Sequence, residues 1–228
     1  MAILVPSPTR IANMALSHVG ARATIESLDD EISTEAEVCR LWYEFSRNQT
    51  LEGFDWNFAR KRITLTKHSE DPPDGVWGFR YKYPADCVVA RKLENPTGTV
   101  EGQTGRWISD FSTPEVRGDA IPFEVETDPT GQTKSILSNL SDAKLVYTFE
   151  QLDTGLYSPL FVEAFSRALG SHIAFTLTGK LALATALANS FQTLCLLLRL
   201  PVLMSWWRSL RETLTLSVGE FNGSYCPS

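Results

Sequence analysis

Ser158-Pro-Leu-Phe-Val-Glu-Ala-Phe-Ser-Arg-Ala-Leu-Gly-Ser-His-Ile-Ala-Phe-Thr-Leu-Thr-Gly179 is the stretch whose reading decides the fold. Ser158 followed by Pro159 is a helix start, because a serine can cap the first free N–H groups and proline fits the first helical position. Val162, Phe165, Leu169, Ile173 and Leu177 then recur at helical period, and Gly179 supplies a left-handed stop. Helix therefore returns here after a long stretch of another kind. A further helix is predicted from Leu181 to Arg199, ahead of Pro201. Its Leu181–Leu198 portion carries no charge but includes Thr185, Asn189, Ser190, Gln192 and Thr193. That polar content favours a buried or subunit-interface helix over a membrane span.

The N-terminal side is also helical. Ser7, Pro8 and Gly20 bracket a helix over residues 8–19, with Ile11, Met14, Ala15 and Val19 on one face. A second helix is expected from Thr34, where Thr34 and Glu37 have capping-box spacing. Its apolar stripe is Val38, Leu41, Trp42 and Phe45, and Gly53 ends it. Trp42, Phe45, Phe165 and Leu169 are accordingly expected in one helical core. Between the helical regions the period switches to two. Ile63 and Leu65, then Phe79, Tyr81 and Tyr83, then Ile121, Phe123 and Val125, then Leu145, Tyr147 and Phe149 alternate with mostly polar residues, predicting half-buried strands. Asp128-Pro-Thr-Gly131 is a turn between two of them. Asn95 to Gly118, rich in Gly, Thr and Ser, reads as a long mobile loop. The fold class is α+β: a helical bundle of two N-terminal and two C-terminal helices with an inserted antiparallel β-rich domain. The boundaries are a helical ring body at 1–60 and 153–200, the β-rich domain at 61–152 and a C-terminal tail at 201–228.

Composition limits the chemistry. The chain has 228 residues, 43% hydrophobic and 21% charged, with 21 basic against 27 acidic side chains and a net charge of −6. Such a chain is globular and a poor candidate for tight non-specific DNA binding, which needs clustered cations. Cys39, Cys87, Cys195 and Cys226 are too few and scattered for a disulfide scaffold, and read as reduced thiols of a cytosolic protein. No secretory signal is expected in the opening residues. His18, His68 and His172 have no metal-ligand spacing, and no phosphate loop, dinucleotide fingerprint or nucleophile elbow is present. No catalytic residue, metal or cofactor is therefore expected. The acidic groups Asp29, Asp30, Glu31, Glu35, Glu37, Asp71 and Asp74 could in principle furnish a carboxylate pair for glycoside cleavage, but they suit caps and loops better. Phe54-Asp-Trp-Asn-Phe-Ala-Arg-Lys-Arg62 mixes aromatic residues with a basic run. Its simplest reading has Phe54, Trp56 and Phe58 anchoring the junction of helical and β parts. Arg60, Lys61 and Arg62 then pair with acids of this chain or of a neighbour.

Ordered together, several segments carry a resemblance. They are Ile11-Ala-Asn-Met-Ala-Leu-Ser-His-Val-Gly-Ala21; Glu35-Ala-Glu-Val-Cys-Arg-Leu-Trp-Tyr43; Arg47 with Phe54-Asp-Trp-Asn-Phe-Ala-Arg60; Tyr81-Lys-Tyr-Pro-Ala-Asp-Cys87; Ile121-Pro-Phe-Glu124; and Pro159-Leu-Phe-Val-Glu-Ala164 with His172-Ile-Ala-Phe-Thr-Leu-Thr-Gly179. In this order they resemble the tail tubular protein A family, the head-to-tail adaptors of short-tailed bacteriophages. The resemblance implies a structural virion protein forming a ring, commonly dodecameric, between portal protein and tail nozzle. Double-stranded DNA would pass through the lumen without sequence-specific binding, and no membrane would be involved. A tail-associated peptidoglycan hydrolase is the alternative. The departure is C-terminal: 43 charges fall in the first 180 residues and 5 in the last 48. Read one base out of frame, Leu203–Thr213 can give Asn-Glu-Leu-Val-Glu-Glu-Pro-Thr-Arg-Asp-Ala, closer to the acidic family tail, which points to a frame change near Leu194. As the residues stand, Leu203, Trp206, Trp207 and Leu210 recur at helical spacing and, with Arg60, Lys61 and Arg62, are the expected portal or subunit contacts.

Overall fold

Ser7 begins the first helix by accepting a hydrogen bond from the Arg10 amide, in a computed structural model that describes residues 6–22, 24–72, 75–94, 121–128 and 130–198. Helix α1 spans Pro8–Val19 and stops at Gly20, whose φ of 77° is open to glycine and strained for other residues. Helix α2 spans Thr34–Gly53. Its cap is Ser33, which accepts from the Ala36 amide, so the capping residue lies one position before the expected Thr34. The Glu31 carboxylate accepts hydrogen bonds from the Ser33 hydroxyl and the Glu26 amide, fixing the turn that leads in. Helix α3 spans Pro159–Thr178, capped by Ser158 and closed by Gly179 as predicted. Helix α4 spans Leu181–Leu198.

Six strands lie between α2 and α3 in chain order: β1 (Arg60–Thr64), β2 (Phe79–Lys82), β3 (Cys87–Glu94), β4 (Phe123–Thr127), β5 (Lys134–Ser138) and β6 (Lys144–Phe149). They form two antiparallel three-stranded sheets, ordered β1-β6-β3 and β2-β5-β4. The class is α+β. The expected half-buried pattern fails for β6, where Leu145, Val146, Tyr147 and Thr148 are all buried, because a central strand is covered on both faces. Asp128 holds the β4–β5 turn: its carboxylate accepts from the Thr130 and Thr133 hydroxyls and the Gln132 and Thr133 amides. These bonds, the Thr130 hydroxyl first, lower its pKa to about 2. The loop expected over Asn95–Gly118 lies outside the described residues.

Two apolar cores result. The first joins α1, α2, α3 and Leu187 of α4, with Ile11, Leu16, Leu51, Phe161, Phe165, Leu169 and Ile173 essentially inaccessible. The second joins the two sheets through Tyr81, Leu93, Ile136, Leu145 and Tyr147. At Gly170 a Cβ would stand 3.4 Å from the Leu187 side chain and 3.5 Å from the Ala15 carbonyl, so a small residue lets α1, α3 and α4 meet. Arg91 ties the cores together. Its guanidinium donates to the carbonyls of Leu51, Glu52 and Phe54 at the end of α2, and to the Thr148 hydroxyl of β6. Those carbonyls are among the acceptors a helix terminus leaves without internal partners.

The expected shared core of Trp42, Phe45, Phe165 and Leu169 is corrected. Phe165 and Leu169 are inaccessible, but Phe45 is 55% exposed, Leu41 73% exposed and Trp42 only half-buried. The inward face of α2 is instead Ala36, Cys39, Tyr43, Ser46, Arg47, Thr50 and Leu51, rotated by about one residue. Of the expected stripe, Val38 and Trp42 pack at the rim of this core, while Leu41 and Phe45 face outward.

Candidate interaction surfaces

The junction segment behaves as its residues suggested. Trp56 is buried, donates its indole N–H to the Thr50 carbonyl at 2.8 Å, and meets Phe54, Phe58 and Phe161 ring to ring at 5.1, 6.0 and 5.1 Å. The basic run after it finds acids within the same chain. Arg60 pairs with Asp55 at 2.7 Å, Lys61 with Asp86 at 2.8 Å, and Arg62 with Glu94 at 3.3 Å. Lys61 also lies 3.8 Å over the Phe149 ring. Lys61 and Arg62 remain about half exposed, so the strand still presents cations to solvent.

Two of the acidic residues weighed for catalysis hold local turns. Asp30 accepts from Ser27, and Glu31 holds the α2 entry turn. Asp74 lies outside the described residues. His18 meets the Ser166 hydroxyl at 3.2 Å, and Ser166 is fully buried and donates to the Glu163 carbonyl. Among the described residues no three metal-ligating side chains cluster. His172 stacks on Trp42 with 4.8 Å between ring centres, meets Phe45 edge-on at 5.3 Å, and lies 3.1 Å from the Gln49 amide oxygen.

Burial lowers the pKa of both His18 and His172. Their neutral forms are favoured by folding, so each adds stability that is complete above the unfolded value near 6.5 and is lost as pH falls through the lower folded value. Proton NMR is expected to show both imidazoles titrating below the ordinary histidine range. A midpoint at or above 6.5 for either would contradict that burial.

What distinguishes the helical surface is its apolar exposure. Leu41 and Phe45 of α2 sit one turn apart beside Trp42 and His172, and Phe175 of α3 is also exposed. Along α4, Leu181, Leu196 and Leu197 are exposed, and only 17% of the helix is buried. Of the expected alternatives, a buried or a subunit-interface helix, the first holds for one face only: Leu187 and Cys195 are buried, Leu183, Ala184, Phe191, Leu194 and Leu198 pack partly against the body, and the opposite face is exposed. By length and composition α4 could cross a membrane. An open groove of about 570 Å³ runs between it and the end of α2, lined by Gln49, Glu52, Val89, Phe191 and Leu196. The remaining expected contacts, Leu203, Trp206, Trp207 and Leu210, lie outside the described residues.

Compared with protein-family models and with curated proteins, the chain matches none.

Proposed function

We propose that this protein is a structural virion component, the head-to-tail adaptor of a short-tailed bacteriophage. Copies associate as a ring, a dodecamer if the resemblance holds, between the portal protein and the tail nozzle. The lumen carries double-stranded DNA during packaging retention and ejection. The observation that supports this most is the large apolar area left outside the helical core, on α2, α3 and α4. An isolated soluble subunit has no use for such a patch, whereas an assembly interface does. The net charge of −6 is consistent with a passage that lets DNA slide, since few cations are left to hold phosphates. The tail residues Leu203, Trp206, Trp207 and Leu210 serve as a docking segment for the portal, an arrangement in which an amphipathic segment fills a groove.

Mass photometry of the chain with and without portal protein tests the reading. The chain alone is expected as monomer or small species, and portal addition is expected to produce one discrete larger species with a fixed number of copies. Truncation after Leu200 is expected to remove portal binding while circular dichroism stays unchanged. A full-length chain that leaves the portal mass unchanged would overturn the adaptor role.

A further inference from the structure

Two arginines are buried among the described residues, Arg47 and Arg80, each 6% exposed. Arg47 has the Glu150 carboxylate. Arg80, in β2, forms no ion pair among the described residues, and its Nε and Nη1 are buried without a hydrogen-bond partner. Its backbone carbonyl accepts from the His68 amide, but the guanidinium stays unused. A cation held out of water with no counter-charge is strongly destabilising, so its retention asks for an anion. The strand register shows what stands beside it. Arg80 lies opposite Leu137 and Lys82 opposite Ser135, while Tyr81 lies opposite Ile136. Side chains alternate between faces, so Tyr81 and Ile136 enter the core between the sheets, and Arg80, Lys82, Leu137 and Ser135 share the other face. Leu137 and Ser135 are inaccessible there, and the Ser135 Oγ is a second buried polar atom without a partner. Lys82, beside them, is exposed and pairs with no acid among the described residues. Across β5 the same two rows end in Glu124, opposite Leu137, and Glu126, opposite Ser135. These carboxylates start two strand spacings from β2, about 10 Å, and no ion pair joins them to Arg80 or Lys82.

We propose that this face of the β2-β5-β4 sheet is a carboxylate-binding site, held by Arg80, Ser135 and Lys82. The planar guanidinium supplies the charge and the matching donor geometry. The Ser135 hydroxyl donates to a carboxylate oxygen, and the Lys82 ammonium closes the outer side. Shelter from water strengthens each of these bonds. Glu124 and Glu126 set the class of ligand. Their charges, on the same face, oppose a doubly charged anion such as phosphate more than a singly charged carboxylate. The group is presented either by a small free acid or by an Asp or Glu side chain of a second copy of this chain. The inference is independent of the ring reading, since neither portal binding nor ring order enters it.

Thermal unfolding of the full-length chain in sodium acetate, against sodium chloride of equal ionic strength, tests the site. At neutral pH and low protein concentration, acetate is expected to raise the Tm of the parent saturably, as a ligand of the folded state does, with no matching rise in chloride. R80M is expected to lose that response while its circular dichroism stays native. S135A leaves the cation in place and is expected to weaken the acetate midpoint about fivefold, the worth of one hydrogen bond. It carries the test should R80M not fold. Phosphate is expected to act more weakly than acetate. Sedimentation velocity over a concentration series separates the two sources. A carboxylate from a second copy gives association that acetate and R80M both reduce, whereas a free acid leaves association unchanged by either. No acetate-specific rise in the parent, an equal rise in R80M, an unchanged midpoint in S135A, or a stronger response to phosphate would each overturn the site.

Discussion

Phe161→Ala is expected to lower folding stability by about 3–5 kcal/mol, the range for deleting a fully buried aromatic ring. Phe161 is inaccessible to solvent and lies in the first turn of α3. Four rings surround it: Tyr157 at 4.6 Å, Phe58 at 5.0 Å, Trp56 at 5.1 Å and Phe165 at 5.8 Å between centres, mostly edge to face. Collapse of these neighbours into the space is hindered. Trp56 is held by its bond to the Thr50 carbonyl, and Tyr157 donates its hydroxyl to the Gln151 carbonyl at 2.7 Å. The vacated volume would therefore stay largely open, which places the cost high in its range. Phe161→Leu, which keeps more of the volume, is expected to cost less. Urea unfolding followed by tryptophan fluorescence measures both. A loss below about 1 kcal/mol for the alanine variant would mean that the aromatic cluster is not the joint between α3 and the 54–58 segment.

The contrast with Trp42 shows what the sequence could and could not carry. Hydrophobic period locates α2 and its approximate face, but it ranks residues by size. The ranking puts Val38, Leu41, Trp42 and Phe45 inside, whereas the fold turns Cys39, Tyr43, Ser46, Arg47 and Thr50 inward. Buried polar groups are invisible to a reading based on apolar period, since their partners lie far away in the chain. Arg47 pairs with Glu150 and Arg91 reaches back to Leu51, and neither spacing forms a motif. Helix ends were the most legible feature. Ser7-Pro8 with Gly20, and Ser158-Pro159 with Gly179, satisfy end groups within a few residues, so the information is local.

Alternation located four of the six strands, β1, β2, β4 and β6, although β6 is buried on both faces. β3 escaped because register shifts between Cys87 and Val89 and between Ala90 and Lys92 break its period. β5 escaped because Ser135, Ile136, Leu137 and Ser138 are all buried in a central strand. Of the expected contact residues, Arg60, Lys61 and Arg62 fall together on one edge strand. Of the α2 residues assigned to the core by size, Leu41 and Phe45 are left on the exposed face, while Val38 and Trp42 pack at the core's rim.

Glu150→Ala is expected to be costlier than Arg47→Met, although the two side chains form one ion pair. Arg47 sits on the inward face of α2 with 7% of its side chain exposed, while the Glu150 side chain, just beyond β6, is 41% exposed. Removing the acid leaves a guanidinium in the interior with its counter-charge gone. Its Nε already lacks a hydrogen-bond partner among the described residues. The neighbouring Tyr43 and Tyr157 hydroxyls cannot replace the carboxylate, because burial raises the pKa of both and keeps them neutral. Stranding one member of a fully buried pair costs about 3–5 kcal/mol, and because Glu150 is partly solvated the loss here is expected below that range. Removing the cation leaves Glu150, which can turn to water, while the methionine stem retains most of the apolar contact of the arginine chain. The double variant R47M/E150A is therefore expected to be more stable than E150A, because the stranded charge is gone. Urea unfolding of the two single variants and the double closes the cycle, and the interaction energy follows from their differences. If E150A proves no less stable than R47M, the pair contributes little to holding α2 against the end of β6. The junction would then rest on Arg91 and the aromatic cluster around Trp56.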